Sequence, residues 1–205
     1  MHNLFGFNLP KRRLIWISSA GFARRINRIS HFRSVAAGSA GTTVSGNDGG
    51  DPGAGGVATV AFTAGQTFTG SIKAAANDEG VITTAGGTVI FVGSIGESGK
   101  DLDQVTLGTA LTIDGNLFAT DVGIDAGVNL TFSGSTLQTV SAAIDSSGGG
   151  DIVTGASAIV TFNAAIGKDS AGNAGVVDDI TLGTSSTTIF GSTVNAGNLN
   201  LNANG

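Results

Sequence analysis

From residue 57 onward, apolar and polar side chains alternate in short bursts separated by Gly, Asn, Asp and Ser. Val60-Ala61-Phe62, Val105-Thr106-Leu107, Leu111-Thr112-Ile113, Val128-Asn129-Leu130-Thr131-Phe132, Val160-Thr161-Phe162, Ile180-Thr181-Leu182 and Leu199-Asn200-Leu201 each carry an apolar residue at every second position. Successive side chains of a strand point to opposite faces, so this pattern predicts strands with one apolar face and one wet face; Thr, Val, Ile and Phe suit such a half-buried pleat. Gly86-Gly87, Asp114-Gly115, Ala126-Gly127 and Ala196-Gly197 are turn signals expected to separate the strands. The strands are therefore short and closely spaced.

The chain also resembles itself. Thr88-Val89-Ile90-Phe91 and Ser94-Ile95-Gly96 match Ile159-Val160-Thr161-Phe162 and Ala165-Ile166-Gly167 at a displacement of 71 along the numbering. Val105-Thr106-Leu107-Gly108-Thr109 matches Ile180-Thr181-Leu182-Gly183-Thr184 at 75, so the second copy holds a four-residue insertion in the loop that replaces Lys100-Asp101 with Asp169 to Val177. Phe118 and Val122 then align with Phe190 and Val194 at 72. A unit of about 70 residues that tolerates loop insertions suits a stacking architecture. Two folds accommodate it: a parallel β-helix (β-solenoid) with coils of about 23 residues and Gly/Asn/Asp corners, or tandem β-sandwiches of about seven strands each. Four runs crowd into Val105 to Phe132, tighter than sandwich spacing, and neither Trp nor Tyr is available in this region as a sandwich anchor. The expected fold is the all-β solenoid.

Composition narrows the chemistry. The 205 residues include 34 Gly and 2 Pro, with no Cys and no Tyr, so the fold has no disulfides and no thiolate chemistry. Charge is divided along the chain. Residues 1–40 carry Lys11, Arg12, Arg13, Arg24, Arg25, Arg28 and Arg33 and no acid, whereas residues 41–205 carry all 15 acids against Lys73, Lys100 and Lys168. An acidic body without Arg repels phosphate, which argues against a nucleic-acid partner.

Residues 1–40 place the short apolar stretch Leu14-Ile15-Trp16-Ile17 between basic groups. A degenerate export leader, a non-native start of the reading frame and a basic surface-binding helix remain open for this segment. Residues 41–56, rich in Gly, Asn and Asp, are expected to be a linker, and residues 57–205 the repeat body. No apolar stretch is long enough for a transmembrane helix.

Both histidines, His2 and His31, precede the body, which removes a Ser-His-Asp triad or a His-ligated metal from it. Asp101/Asp103, Asp178/Asp179 and Asp78/Glu79 are the carboxylate pairs that glycoside chemistry would need; the first two fall in equivalent loops of the two copies and are expected to be solvated corners. Asn47, Asp48 and Asp51 have the oxygen ligands that calcium takes, but Gly148-Gly149-Gly150-Asp151 lacks the spacing of a calcium-binding β-roll. Asn129-Leu130-Thr131 matches a glycosylation acceptor, yet sits within an alternating strand. No catalytic, cofactor or metal site is therefore assigned.

The pattern Gly87-Thr88-Val89-Ile90-Phe91, Ser94-Ile95-Gly96 and Leu102-Asp103-Gln104-Val105-Thr106-Leu107, with its second copy ending Asp179-Ile180-Thr181-Leu182-Gly183, resembles passenger-domain repeats of bacterial autotransporter surface antigens, the rickettsial outer-membrane, S-layer-like antigens among them. Val194-Asn195-Ala196-Gly197-Asn198-Leu199-Asn200-Leu201 is similar to filamentous-haemagglutinin-type repeats. The resemblance covers residues 57–205 and implies an exported, cell-surface, non-catalytic shaft or adhesin segment that meets host or neighbouring-cell molecules. A self-assembling surface layer with end-to-end contacts, and a carbohydrate-active β-helix enzyme, are the alternatives.

Overall fold

The computed structural model describes residues 44–46, 59–74 and 77–202. The basic segment 1–40 lies outside these residues, as does the expected linker 41–56 except for Val44–Gly46, which is a strand. The described body is an all-β solenoid of about six turns: every strand pairing is parallel and no helix is present among the described residues.

The chain winds past three faces in turn, with strands numbered in chain order. The first face holds β2 (Thr59–Phe62), β5 (Val81–Thr84), β7 (Leu102–Leu107), the second half of β9 (Leu117–Ile124) and the end of β11 (Leu137–Ser146), continued by bridges through Ile166 and Val194. The second holds β3 (Gln66–Thr69), β6 (Val89–Val92), β8 (Leu111–Ile113), β10 (Asn129–Phe132), β12 (Asp151–Thr154), β14 (Val177–Leu182) and β16 (Ala196–Leu201). The third runs from β1 (Val44–Gly46) through β4 (Ile72–Ala74), Ile95 and the starts of β9 and β11 to β13 (Ile159–Phe162) and β15 (Thr187–Phe190).

Register partners give the coil length directly. Val60 pairs with Ile82 and Ile82 with Val105, so corresponding positions advance by 22 and then by 23 along the numbering. Val105 to Val122 takes only 17, and Phe162 to Phe190 takes 28 because a lateral hairpin is inserted in that coil. Where no corner is shortened or enlarged, the coil thus has the length that the alternation and the repeat predict.

Alternation decides what enters the core. In β2, β5, β12 and β13 every second side chain is buried. The buried set, including Phe62, Ile82, Phe91, Leu107, Ile113, Leu117, Phe132, Ile144 and Phe162, forms one continuous apolar column through the stack. A fully buried side chain of this size contributes about 1.5–3 kcal/mol of transfer free energy. Aromatic rings cluster towards both ends: Phe62 meets Phe91 edge-on at 5.0 Å, Phe132 meets Phe162 edge-on at 5.3 Å, and Phe162 stacks on Phe190 at 5.6 Å.

The alternation breaks where a strand turns a corner. β9 and β11 each continue from the third face onto the first, and Phe118 to Asp121 of β9 lie opposite Ser141 to Ala143 of β11, one extra residue on β9. At the same kind of break, buried residues fall three apart, Leu102 and Val105 in β7 and Val177 and Ile180 in β14. Gly86-Gly87, Asp114-Gly115 and Ala126-Gly127 are corners between faces. Ala196-Gly197 is not a turn but the start of β16, where Ala196 pairs with Val177.

The matched copies share orientation but not always face. Phe91 and Phe162 both point inward, yet Phe91 lies on the second face and Phe162 on the third. Leu117, not Phe118, stands in the stack that leads through Val140 and Phe162 to Phe190. The sequence repeat therefore marks a strand–corner–strand module used on different sides of the triangle. Each copy emits a lateral hairpin just after its glycine, bridged Glu97–Lys100 in the first and Lys168–Ala174 in the second.

Candidate interaction surface

What faces solvent is set by the same parity that fills the core. On the second face the central outer column runs Thr67, Ile90, Thr112, Thr131, Val153, Thr181, Asn200, each the register partner of the next. Beside it Asn129 pairs with Asp151, and a polar ladder follows: the Asp179 N–H donates to Asp151 Oδ1 at 3.1 Å, and Asn198 Nδ2 donates to Asp179 Oδ1 at 2.8 Å. Ladders of this kind satisfy side chains without drawing them inward.

The carboxylate pairs take different places. Asp103, Asp178 and Asp179 lie within strands β7 and β14 rather than in loops, at the corner breaks where two consecutive side chains point away from the core. Asp78 has φ 59°, and its carboxylate accepts from the Thr120 hydroxyl and from Asn77 Nδ2. Asn77 Oδ1 in turn accepts the Asp101 N–H at 3.0 Å. Burial first, then the charge of Asp78, raises the Asp101 carboxyl above its ordinary value, and among the described residues its buried Oδ1 has no hydrogen-bond partner. Glu79 is buried.

A third group of acids arises only in three dimensions. Asp121 of β9, Asp145 of β11 and Asp169 of the second hairpin come together on the first face. Ser170 donates its N–H and its hydroxyl to the two oxygens of Asp121, and Asp169 accepts from the N–H and the Nδ2 of Asn173. Those bonds hold the Asp169 carboxyl below the ordinary range. Asp145, beneath the hairpin, is pushed up by burial, then by the charges of Asp169 and Asp121. Its members stand 24 positions apart along the chain, close to one expected coil, a spacing that signals proximity only when the coil length is known.

Lys73 donates to Glu97 at 2.9 Å, and that hydrogen bond followed by the lysine charge lowers the Glu97 carboxyl. Both partners are well exposed, so the pair adds little to stability. Among the described residues, no three His, Cys, Asp or Glu side chains are placed to hold a metal ion, and no helix is long and apolar enough to cross a membrane. Asn47, Asp48, Asp51 and both histidines lie outside the described residues. Gly148-Gly149-Gly150 forms a corner in which Ser146 Oγ accepts the N–H groups of Gly148 and Gly150. A shallow depression lies at the last coil between Leu182-Gly183, Ser185-Ser186 and Leu201-Asn202. Scanned against known protein families, curated proteins and solved structures, the chain matches none.

Proposed function

We propose that this chain is a non-catalytic shaft or adhesin segment of an exported bacterial surface protein, which works by presenting its outer columns rather than by transforming a substrate. The observation that supports this reading best is the division of labour along each strand. Inward positions fill one continuous apolar core, while outward positions of the second face form columns rich in Thr, Asn and Asp, with Ile90 and Val153 among them. A stacked repeat of this kind offers an extended surface for recognition. The resemblance of residues 57–205 to autotransporter passenger repeats supplies the expectation of export.

The reading is tested with antibodies raised against the purified chain. Intact, non-permeabilised source cells should be labelled. Labelling that appears only after permeabilisation would contradict surface display. A panel of polysaccharides assayed for new reducing ends should stay unchanged, and an activity abolished by Asp178→Asn with Asp179→Asn would show the non-catalytic reading to be wrong.

A further inference from the structure

Asn129-Leu130-Thr131 opens β10 on the second face, and the parity of that strand turns its two polar residues outward. Leu130 is buried in the core, whereas Asn129 is exposed and Thr131 half-exposed. Residues two apart in a strand share a face and lie about 7 Å apart, so the Asn129 amide and the Thr131 hydroxyl stand together over the same outer surface. The alternation that made this stretch look like plain core strand is thus what presents both groups of the acceptor sequence. Asn-X-Ser/Thr occurs nowhere else in the chain, so any modification that needs it has a single address.

The surroundings leave the amide free. The polar ladder bonds join Asp151, Asp179 and Asn198 and stop short of Asn129, although Asn129 and Asp151 are register partners. Among the described residues, neither the Asn129 side chain nor the Thr131 hydroxyl has a hydrogen-bond partner. On the other side, the β8 ladder begins at the Leu111–Leu130 pair, which sets the short side chain of Ala110 opposite Asn129. The corner before β10 is closed by the Val128 N–H on the Asp125 carbonyl at 3.1 Å, and a Cβ on Gly127 there would meet nothing within 4 Å. A ladder asparagine that served the fold would be held by its neighbours; this one is held by none and has room for a bulky polar group.

We propose that Asn129 is an N-glycosylation site, with Thr131 as the hydroxyl that the transferase reads. Asn129 Nδ2 forms a bond to C1 of a sugar carried as a diphosphate ester. The bond from C1 to the donor oxygen breaks, the diphosphate leaves with the bonding pair, and the amide gives up one proton. In the finished fold β10 is paired on both sides and Leu130 is buried, so the transfer precedes the docking of β10. The fold then carries the sugar outward without displacing a core residue. This assignment stands apart from the shaft or adhesin reading and does not rest on it.

Mass spectrometry of the chain isolated from its source cells tests this, with the increment located by fragmenting proteolytic peptides. The peptide carrying Asn129 should be heavier than its sequence by the mass of a sugar. A single hexose would identify a nucleotide-activated donor, and an oligosaccharide a lipid-linked one. Asn129→Gln and Thr131→Val, each expressed in the same cells, should lose the increment entirely while keeping the circular dichroism spectrum of the parent. Thr131→Val is the safer of the two for folding, because Val153 already stands beside it in the same outer column. An unmodified Asn129 in the chain from source cells, or an increment on that peptide that survives Thr131→Val, would overturn the proposal.

Discussion

Ser170 donates both its backbone N–H and its hydroxyl to the two carboxylate oxygens of Asp121, each at 2.6 Å, although 49 positions separate the two residues. The hairpin Lys168–Ala174 thereby reaches back beyond the coil of Asp145 to grip the coil before it. Asp121→Asn should cost about 1 kcal/mol, since it weakens two hydrogen bonds to an ionised acceptor at the surface. Ser170→Ala keeps the N–H bond and should cost less. Hydrogen exchange read by mass spectrometry should show faster exchange confined to the hairpin; unchanged exchange there would mean that the latch carries no stability.

Asp145 lies under that hairpin, and its raised pKa gives a pH signature. A carboxyl whose folded-state value lies above the unfolded one binds its proton more tightly when folded. Its contribution to stability therefore rises as pH falls through the folded value towards the unfolded value. Asp145→Asn should melt at a higher temperature than the parent chain at neutral pH, and the gap should close as pH falls through the carboxylate range. A gap independent of pH would contradict the assignment.

Gln138 and Leu137 reverse the usual order of burial. Gln138 is fully buried, accepting from the Gly134 N–H at 2.9 Å and donating to the carbonyls of Ile113 and Gly115 at 3.1 and 2.8 Å, while Leu137 is 60% exposed. Gln138→Leu should cost about 2–4 kcal/mol, because it leaves the Gly134 N–H and the Gly115 carbonyl without this buried partner, while the Ile113 carbonyl keeps the Ser133 N–H. Leu137→Thr should change stability by no more than about 0.5 kcal/mol. Urea denaturation separates the two, and equal losses would show the register of β11 to be wrong.

Gly96 and Gly99 share φ +75° but differ in surroundings. A Cβ on Gly96 would sit 2.0 Å from the Phe118 carbonyl oxygen, whereas one on Gly99 meets nothing within 4 Å. Gly99→Ala should cost about 1 kcal/mol from the left-handed backbone alone. Gly96→Ala should cost about 3 kcal/mol or more, since backbone of the adjacent coil must also move. Gly167, set against Asn195 in the same way at φ +80°, should repeat the Gly96 result. Thermal melts that rank Gly99→Ala as the more damaging change would contradict the packing.

Strands such as β2, β8 and β13 are legible because a single parity holds along each of them and inward residues are apolar. β11 is not, because it turns a corner with three consecutive buried residues, Ala142, Ala143 and Ile144, and spends an inward position on Gln138. The loop insertion after Gly167 is visible in the self-match and proves to be a lateral hairpin. The face on which each module lies is not visible, since Phe91 and Phe162 have the same local surroundings and differ only in how many corners precede them. The Asp121, Asp145 and Asp169 group escapes sequence reading for a different reason: the coils that join it are regular, 22 positions from Val122 to Ile144 and 22 from Ile144 to Ile166, but acids this far apart read as neighbours only once the coil length and the reach of the hairpin are known. Ala196-Gly197 misleads as a turn signal because a pair of small residues also suits the close approach of β16 to Asp178.

The central claim is the stacking register, and the absence of cysteine makes it open to direct measurement. Thr131 and Val153 are register partners on the outer column of the second face, whereas Thr161 lies on the third. Neighbouring strands lie about 4.7–4.9 Å apart, within the span a disulfide can bridge. Oxidation of a chain carrying Thr131→Cys and Val153→Cys should give an intramolecular disulfide, seen by mass spectrometry, and a chain carrying Thr131→Cys and Thr161→Cys should remain reduced. Cross-linking of the second pair but not the first would contradict the three-sided parallel solenoid.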